Sequence, residues 1–203
     1  MKVLLLNGSP NEKGCTYTAL GEVASQLNEN GVETETIHAV NGPIHGCTGC
    51  RMCGRDHRCA FDGDRVNEAR AALARADGLV IGSPVYYASP NGAFLAFLDR
   101  MFFAGNAGFA YKPGAAIVSA RRAGTTAALD ALNKYFLISN MPLVPSQYWN
   151  MVHGNTPEEA RQDAEGMQIM RTLGRNMAWL LKCIAAGGEP PAEEKKVRTN
   201  FIR

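Results

Sequence analysis

Lys2-Val3-Leu4-Leu5-Leu6-Asn7-Gly8-Ser9-Pro10, running on through Asn11-Glu12-Lys13-Gly14-Cys15-Thr16, decides the architecture. A short apolar run halted by Asn-Gly-Ser-Pro reads as a buried strand followed by a turn. Thr16 to Asn30 then reads as a helix. Leu20, Val23, Ala24 and Leu27 share one face, and Gly31 closes it. Strand, glycine-containing turn and helix in this order open an alternating α/β chain.

The alternation continues to the end of the sequence. Val32 to Val40 reads as a second, more exposed strand, broken by Asn41-Gly42-Pro43. Asp64 caps a helix reaching about Arg75, and Gly78 to Ser83 is a buried third strand. Asn91 to Phe103 is helical, with Phe94, Leu95, Leu98, Met101 and Phe102 inward. Ala115 to Ser119 is a fourth strand and Thr125 to Leu137 a helix. Met141 to Val144 contains a proline and reads as a short fifth strand at an edge. Thr156, Pro157 and Glu159 form a capping box that opens the last helix. Ala160, Ala164, Met167, Met170, Met177, Leu181 and Ile184 recur along it at helical spacing until Gly187-Gly188. Cys183 reads as a small buried hydrophobe on that helix. The pattern predicts a doubly wound five-stranded parallel α/β sheet with helices on both faces over residues 1–188. An insertion occupies about 44–62. A charged tail, 189–203, is expected to be disordered or laid across a neighbouring subunit.

Length and composition narrow the function classes. A chain of 203 residues is enough for one domain with its own core. The net charge of +2 is too small to point to nucleic acid or an anionic membrane surface. No apolar run approaches the ~20 residues a membrane span needs. The apolar start stops at Asn7 with no small-residue cleavage site after it, so a cytoplasmic location is expected.

Sheets of this kind bind ligands beyond the carboxyl ends of their strands. The loop after the first strand offers backbone N–H groups and a helix dipole, with hydroxyls from Ser9 and Thr16, which suits an anion. It matches neither G-x-G-x-x-G nor G-x-x-x-x-G-K-[ST], so a dinucleotide or triphosphate site is disfavoured. A single terminal phosphate, as in a mononucleotide, remains; the plainer reading is a turn capped by Thr16. Gly82 to Gly92 follows the third strand with Tyr86 and Tyr87 adjacent. This is the makings of a platform beside a planar ring, or ordinary packing at a sheet edge. Ser119-Ala120-Arg121-Arg122-Ala123-Gly124 is a third small-residue loop.

As a set, Gly8-Ser9-Pro10 with Gly14-Cys15-Thr16, Ser83 to Tyr87 with Phe97-Leu98-Asp99-Arg100, and the Ser119 to Gly124 loop resemble the NADPH-dependent FMN reductase branch of the flavodoxin-like superfamily. The resemblance covers about residues 1–150 and implies FMN as ligand. It would place Ser9, Cys15 and Thr16 at the phosphate, and Pro84, Val85, Tyr86 and Tyr87 along the isoalloxazine ring. Ser119, Ala120 and Gly124 would meet the ring's polar edge. The family usually has an asparagine where this chain has Cys15; a backbone N–H contact survives that change. The basic residue often found after Ser-Pro is Asn11 here, and Lys13 would supply the charge instead.

Cys47, Cys50, Cys53 and Cys59 are spaced C-x2-C-x2-C-x5-C. Four readings compete: an iron-sulfur cluster, structural zinc, which prefers two separated ligand pairs, a redox-active dithiol, and a loop without metal. The run also resembles the compact cysteine motif of iron-sulfur flavoproteins of the same superfamily. That resemblance implies a 4Fe-4S cluster between strand two and the following helix, near the FMN of a neighbouring subunit, with homodimers or homotetramers expected.

The expected function is an FMN-dependent oxidoreductase passing electrons between a reduced donor and an acceptor through flavin and the cluster. The alternatives are an NAD(P)H-dependent FMN or quinone reductase without a cluster, and a non-catalytic flavin electron carrier. The flavin carries the chemistry, so no catalytic side chain is expected. His45, His57 and His153 read as loop or surface residues, and His38 as a strand residue. Tyr86, Tyr87 and Arg121 would shape access to the flavin edge.

Overall fold

The computed structural model describes residues 1–105, 108–192, 194–195, 197–199 and 201; the other tail positions expected to be disordered or draped lie outside the described residues. Its centre is a parallel sheet. Lys2–Asn7 (β1), Glu33–His38 (β2), Gly78–Tyr86 (β3), Gly114–Ala120 (β5) and Met151–His153 (β6) lie in the order β2-β1-β3-β5-β6. Ser89–Pro90 (β4) turns back antiparallel on the end of β3. The order reverses between β1 and β3, which are paired from Val3↔Gly78 to Asn7↔Gly82.

The helices fall on two faces because successive strand side chains do. Leu4, Leu6, Leu79, Ile81, Ala116 and Val118 point into one core. Val66–Arg75 (α3), Gly92–Gly105 (α4) and Thr125–Ile138 (α5) cover it. Val3, Leu5, Val80, Ala115 and Ile117 point into the other. Cys15–Glu29 (α1), Pro157–Gln162 (α6) and Ala164–Ala186 (α7) cover that face. α1 and α7 are clamped by Glu22–Arg171 and Gln26–Arg175 pairs, both at 2.7 Å. A four-residue helix, Cys53–Asp56 (α2), sits inside the cysteine loop.

Three expectations are corrected. The fifth strand is not Met141 to Val144. Pro142 has no N–H to extend a ladder, and that segment makes one isolated bridge, Leu143 to Gly114. Pairing resumes at Met151–His153 against Val118–Ala120. The last helix is two, because Asp163 ends α6 and caps α7 by accepting from the Gly166 N–H at 2.9 Å. Thr156 caps α6 as expected, accepting from Glu159. Cys183 is exposed: it lies two residues past buried Leu181, about 200° around the helix.

Gly82 in β3 has no room for a side chain. A Cβ there would stand 2.9 Å from Thr16 Cγ2 and 3.1 Å from Leu20. Gly82→Val is therefore expected to push the start of α1 off the sheet and cost about 1–3 kcal/mol, read as a lower denaturant midpoint with unchanged slope.

Candidate functional site

The loops after β1, β3, β5 and β6 surround an open cleft of about 450 Å³ at the carboxyl end of the sheet, within the ordinary range for a small-molecule site. The β1 loop is held by its own polar groups. Gly8 N–H donates to the Gly82 carbonyl at 2.8 Å. Ser9 N–H donates to Asn7 Oδ1, Asn7 Nδ2 to the Glu12 carbonyl, and Asn11 N–H to Ser9 Oγ. His38, at the end of β2, places Nε2 2.7 Å from the Ser9 carbonyl.

The first turn of α1 opens into this cleft without a side-chain cap and without an acidic residue. The contrast with α6 and α7 is informative, since both are capped by Thr156 and Asp163. Uncapped N–H groups at a helix start retain donors and the positive dipole end for an anion. Ser9, Lys13, Cys15 and Thr16 all border the cleft here. Thr16 Oγ1 lies 2.8 Å from Ser119 Oγ, both residues buried, which ties the α1 start to the end of β5.

Pro84, Val85 and Tyr86 form one wall, and Ser119 and Ala120 another. Two residues expected at the site do not border the cleft. Tyr87 projects fully into solvent at the tip of the β3–β4 hairpin, with φ +51°. Gly124, at φ +87°, packs its Cα face on the hairpin; a Cβ there would stand 2.7 Å from Ala88 Cα. It shapes the wall from behind.

Arg121, expected to shape access to the flavin edge, borders the cleft. Other lining residues went unseen in the sequence: Asn11 and Gly14 belong to a loop already singled out, while Gly154, Asn155 and Pro157 come from the β6–α6 loop. That loop was hidden because the last strand was sited ten residues early. Cys15 Sγ lies 3.6 Å from the Gly154 carbonyl, to which it can donate, so its thiol turns to the fourth loop. Burial pushes that thiol's pKa up.

The four cysteines of the insertion border a second, small cavity of about 20 Å³ together with Arg100, Phe61 and Phe103. Cys47 and Cys50 are exposed, Cys53 is half-buried and Cys59 is buried. Burial pushes the Cys53 thiol up, and the charges of Cys50, Cys47 and Cys59 push the same way. The sulfurs therefore share one electrostatic neighbourhood. Among the described residues no three His, Cys, Asp or Glu side chains are arranged to hold a single metal ion. The space holds about one water, so a larger group requires the loop to open. Gly46, Gly49 and Gly54 face open space.

Cys59 anchors this loop. Its N–H donates to Asn67 Oδ1 at 2.9 Å and its carbonyl accepts from Asn67 Nδ2 at 3.0 Å. Arg100 of α4 is 1% exposed, so its charge must be compensated inside the protein. It pairs with Asp64, donates to the His45 and Phe61 carbonyls, and directs Nε–H at Cys59 Sγ, 3.1 Å away. Its guanidinium also lies over the Phe61 ring, 5.4 Å from the centroid. Burial works against the charge, but Asp64 and Cys59 outweigh it and the Arg100 pKa stays above its ordinary value. Removing one partner of such a buried pair costs about 3–5 kcal/mol. Asp64 does touch the start of α3, accepting from Val66 N–H at 3.1 Å. Its role opposite Arg100 was missed; the available signal was an arginine among the inward-facing residues of α4.

The sequence model for NADPH-dependent FMN reductase matches residues 1–156. An iron-sulfur flavoprotein of Methanocaldococcus jannaschii is 30% identical over 193 residues, covering 91% of this chain and 99% of the relative. An iron-sulfur flavoprotein of Methanosarcina thermophila is 26% identical, covering 91% and 97%. Among solved structures, an NAD(P)H:quinone oxidoreductase from Methanothermobacter marburgensis superposes with a TM-score of 0.66 at 19% identity, covering 87% of this chain and 98% of that one. That last likeness concerns the fold. With a doubly wound sheet, a cleft at its switch point and a sequence match over most of its length, the chain belongs to the NADPH-dependent FMN reductase family and is a flavin-dependent oxidoreductase.

Proposed function

We propose that this protein binds FMN in the cleft, carries a 4Fe-4S cluster on the cysteine loop, and passes electrons from a reduced donor such as NAD(P)H to an acceptor. The observation that carries the flavin site is the uncapped start of α1 at the cleft floor, with Ser9, Lys13 and Thr16 around it. These groups suit a phosphate: backbone donors and hydroxyls hold its oxygens, and Lys13 offsets charge. Pro84, Val85 and Tyr86 would flank the ring, while Ser119, Ala120 and the Arg121 cation would face its polar edge. Tyr87, exposed on the hairpin tip, would meet a donor, an acceptor or a second subunit rather than the ring held by its own chain. Gly124 supports the hairpin that carries the ring wall. When bound, FMN supplies hydride acceptance and one-electron transfer.

The cysteine loop fits a multi-atom sulfur-bound centre better than a single ion. Its donors are all thiols and all four border one cavity. Cys47, Cys50, Cys53 and Cys59 would be the ligands, and such a centre supplies one-electron transfer. A second reading, a reductase of FMN or quinones with free thiols in the loop, is favoured by the small size of that cavity. Assembly into dimers or tetramers is supported by exposed Phe103, Leu137, Ile138 and Trp179. No helix among the described residues is long and apolar enough to cross a membrane.

Thr16→Val removes a hydroxyl from the phosphate floor while keeping shape. A hydrogen bond to a charged group contributes about 1.5–3 kcal/mol, so FMN affinity should fall roughly tenfold to a hundredfold in a flavin-fluorescence titration. Unchanged affinity would move the phosphate elsewhere. Anaerobically purified protein should contain about four irons per chain with a broad brown absorption under the flavin bands. Cys53→Ser should lose that absorption and keep the flavin. Flavin with four titratable loop thiols and no iron would select the reductase reading, and zinc without iron a structural metal. Steady oxidation of NADPH with a soluble acceptor is expected; a protein that exchanges electrons only once per flavin is a carrier.

A further inference from the structure

We propose that the buried Arg100–Asp64 pair is a positioning and tuning device for the cysteine-bound centre: Arg100 holds Cys59 as a preset ligand and raises the centre's reduction potential, while Asp64 limits that rise. This rests on the reading that the loop carries an iron-sulfur cluster.

The placement supports it on three counts. Of the four cysteines, Cys59 alone is buried, and its backbone is fixed at both N–H and carbonyl by Asn67. Its sulfur receives Arg100 Nε–H at 3.1 Å. Arg100 itself cannot drift, because its other nitrogens are engaged by Asp64 and by the carbonyls of His45 and Phe61, which flank the loop at either end. The other three cysteines lie on the glycine-containing stretch, where Cys47 and Cys50 are exposed and Cys53 half-buried. A loop built this way would gather three less buried thiols around one fixed sulfur.

The electrostatics follow from the same contacts. Reduction adds one negative charge to a sulfur-bound centre. A guanidinium at hydrogen-bond distance from one ligand favours the more negative form, and in a buried site this interaction is weakly screened. The carboxylate of Asp64 sits on the far side of the cation and opposes it. Hydrogen bonds to ligand sulfur and local charge are recognised levers on the potential of such centres. Removing Arg100 and neutralising Asp64 should then move the potential in opposite directions. A pair that served only to hold the fold would not do this, since breaking it from either side loosens the same loop.

The test is potentiometric titration of the anaerobic holoprotein, followed by the electron-paramagnetic signal of the reduced cluster and with iron counted per chain. Arg100→Gln should give a lower potential and Asp64→Asn a higher one. Each shift should correspond to at least a tenfold change in the reduction equilibrium, which is 59 mV for a one-electron couple. Arg100→Lys, which keeps the charge but loses the Nε–H donor, should fall between wild type and Arg100→Gln. Because Arg100→Gln leaves Asp64 buried without its cation, Asp64→Asn and Arg100→Lys decide the matter if that variant does not fold. Shifts in the same direction, or a potential in Asp64→Asn at or below wild type, overturn the inference while leaving the cluster in place. Wild-type protein without iron overturns the cluster reading, and this inference with it.

Discussion

Gly8 and Gly82 meet at the junction of β1 and β3, the N–H of one donating to the carbonyl of the other at 2.8 Å, and neither can carry a side chain. A Cβ on Gly8 would fall 2.2 Å from the Phe94 ring of α4, and one on Gly82 would press on Thr16 and Leu20 of α1. Two helices thus close on the same point from opposite faces of the sheet. Everything at the carboxyl end takes its place from this contact. It sets the height of the α1 start above β3, brings Thr16 to Ser119, and leaves the cleft between the strands that diverge there. The cleft is a consequence of how parallel strands buried on both faces must end, and its polar floor is the part of α1 that the sheet cannot cover.

The cysteine insertion obeys a different logic. Its own residues bury little, and α2 is only four residues long with no buried side chain. Order is imported from outside the loop through Arg100 of α4, Asp64 in the segment entering α3, and Asn67 in the first turn of α3. The stacked rings of His45 and Phe61, 4.1 Å apart, close the two ends of the insertion on each other. A short glycine-rich loop could not bury enough apolar surface to fold by itself, so a charged residue in the neighbouring core supplies the directional contacts that hydrophobic packing cannot.

Most of the sheet was legible because its signals are local. Continuous apolar runs at Val3–Leu6 and Leu79–Ile81 and the 3.6 period of α1, α4 and α5 need no tertiary information. The capping box at Thr156 and Glu159 also stood out, yet the helix it opens is six residues long. The stop signal at Asp163 is a side-chain cap whose partner, Gly166, is visible only in three dimensions. The fifth strand was misread for a similar reason. Met141–Val144 and Met151–Val152 are both short and apolar, and the choice between them is made by β5, which pairs with the second through Val118 to Ala120. The cleft loops after β1, β3 and β5 were therefore found by position, and the fourth loop, with Gly154 and Asn155, was lost with its strand. Tyr87 was drawn to the cleft by its neighbour Tyr86, although side chains on an extended segment alternate sides and the hairpin's positive φ angles turn it outward.

α4 joins the two regions into one object. Phe94, in its first turn, packs on Gly8 beneath the cleft. Arg100 and Phe103, toward its end, border the cysteine cavity. Nine residues separate Phe94 from Phe103, about 14 Å along a helix axis. Its buried stripe of Phe94, Phe97, Leu98 and Met101 leaves no slack between them. One packed helix thus holds both the Arg100 end and the base of the β1 loop, whereas Cys47 and Cys50 are exposed and lie outside that packing. The contrast between buried Cys59 on the core side and exposed Cys47 and Cys50 on the solvent side follows from that packing.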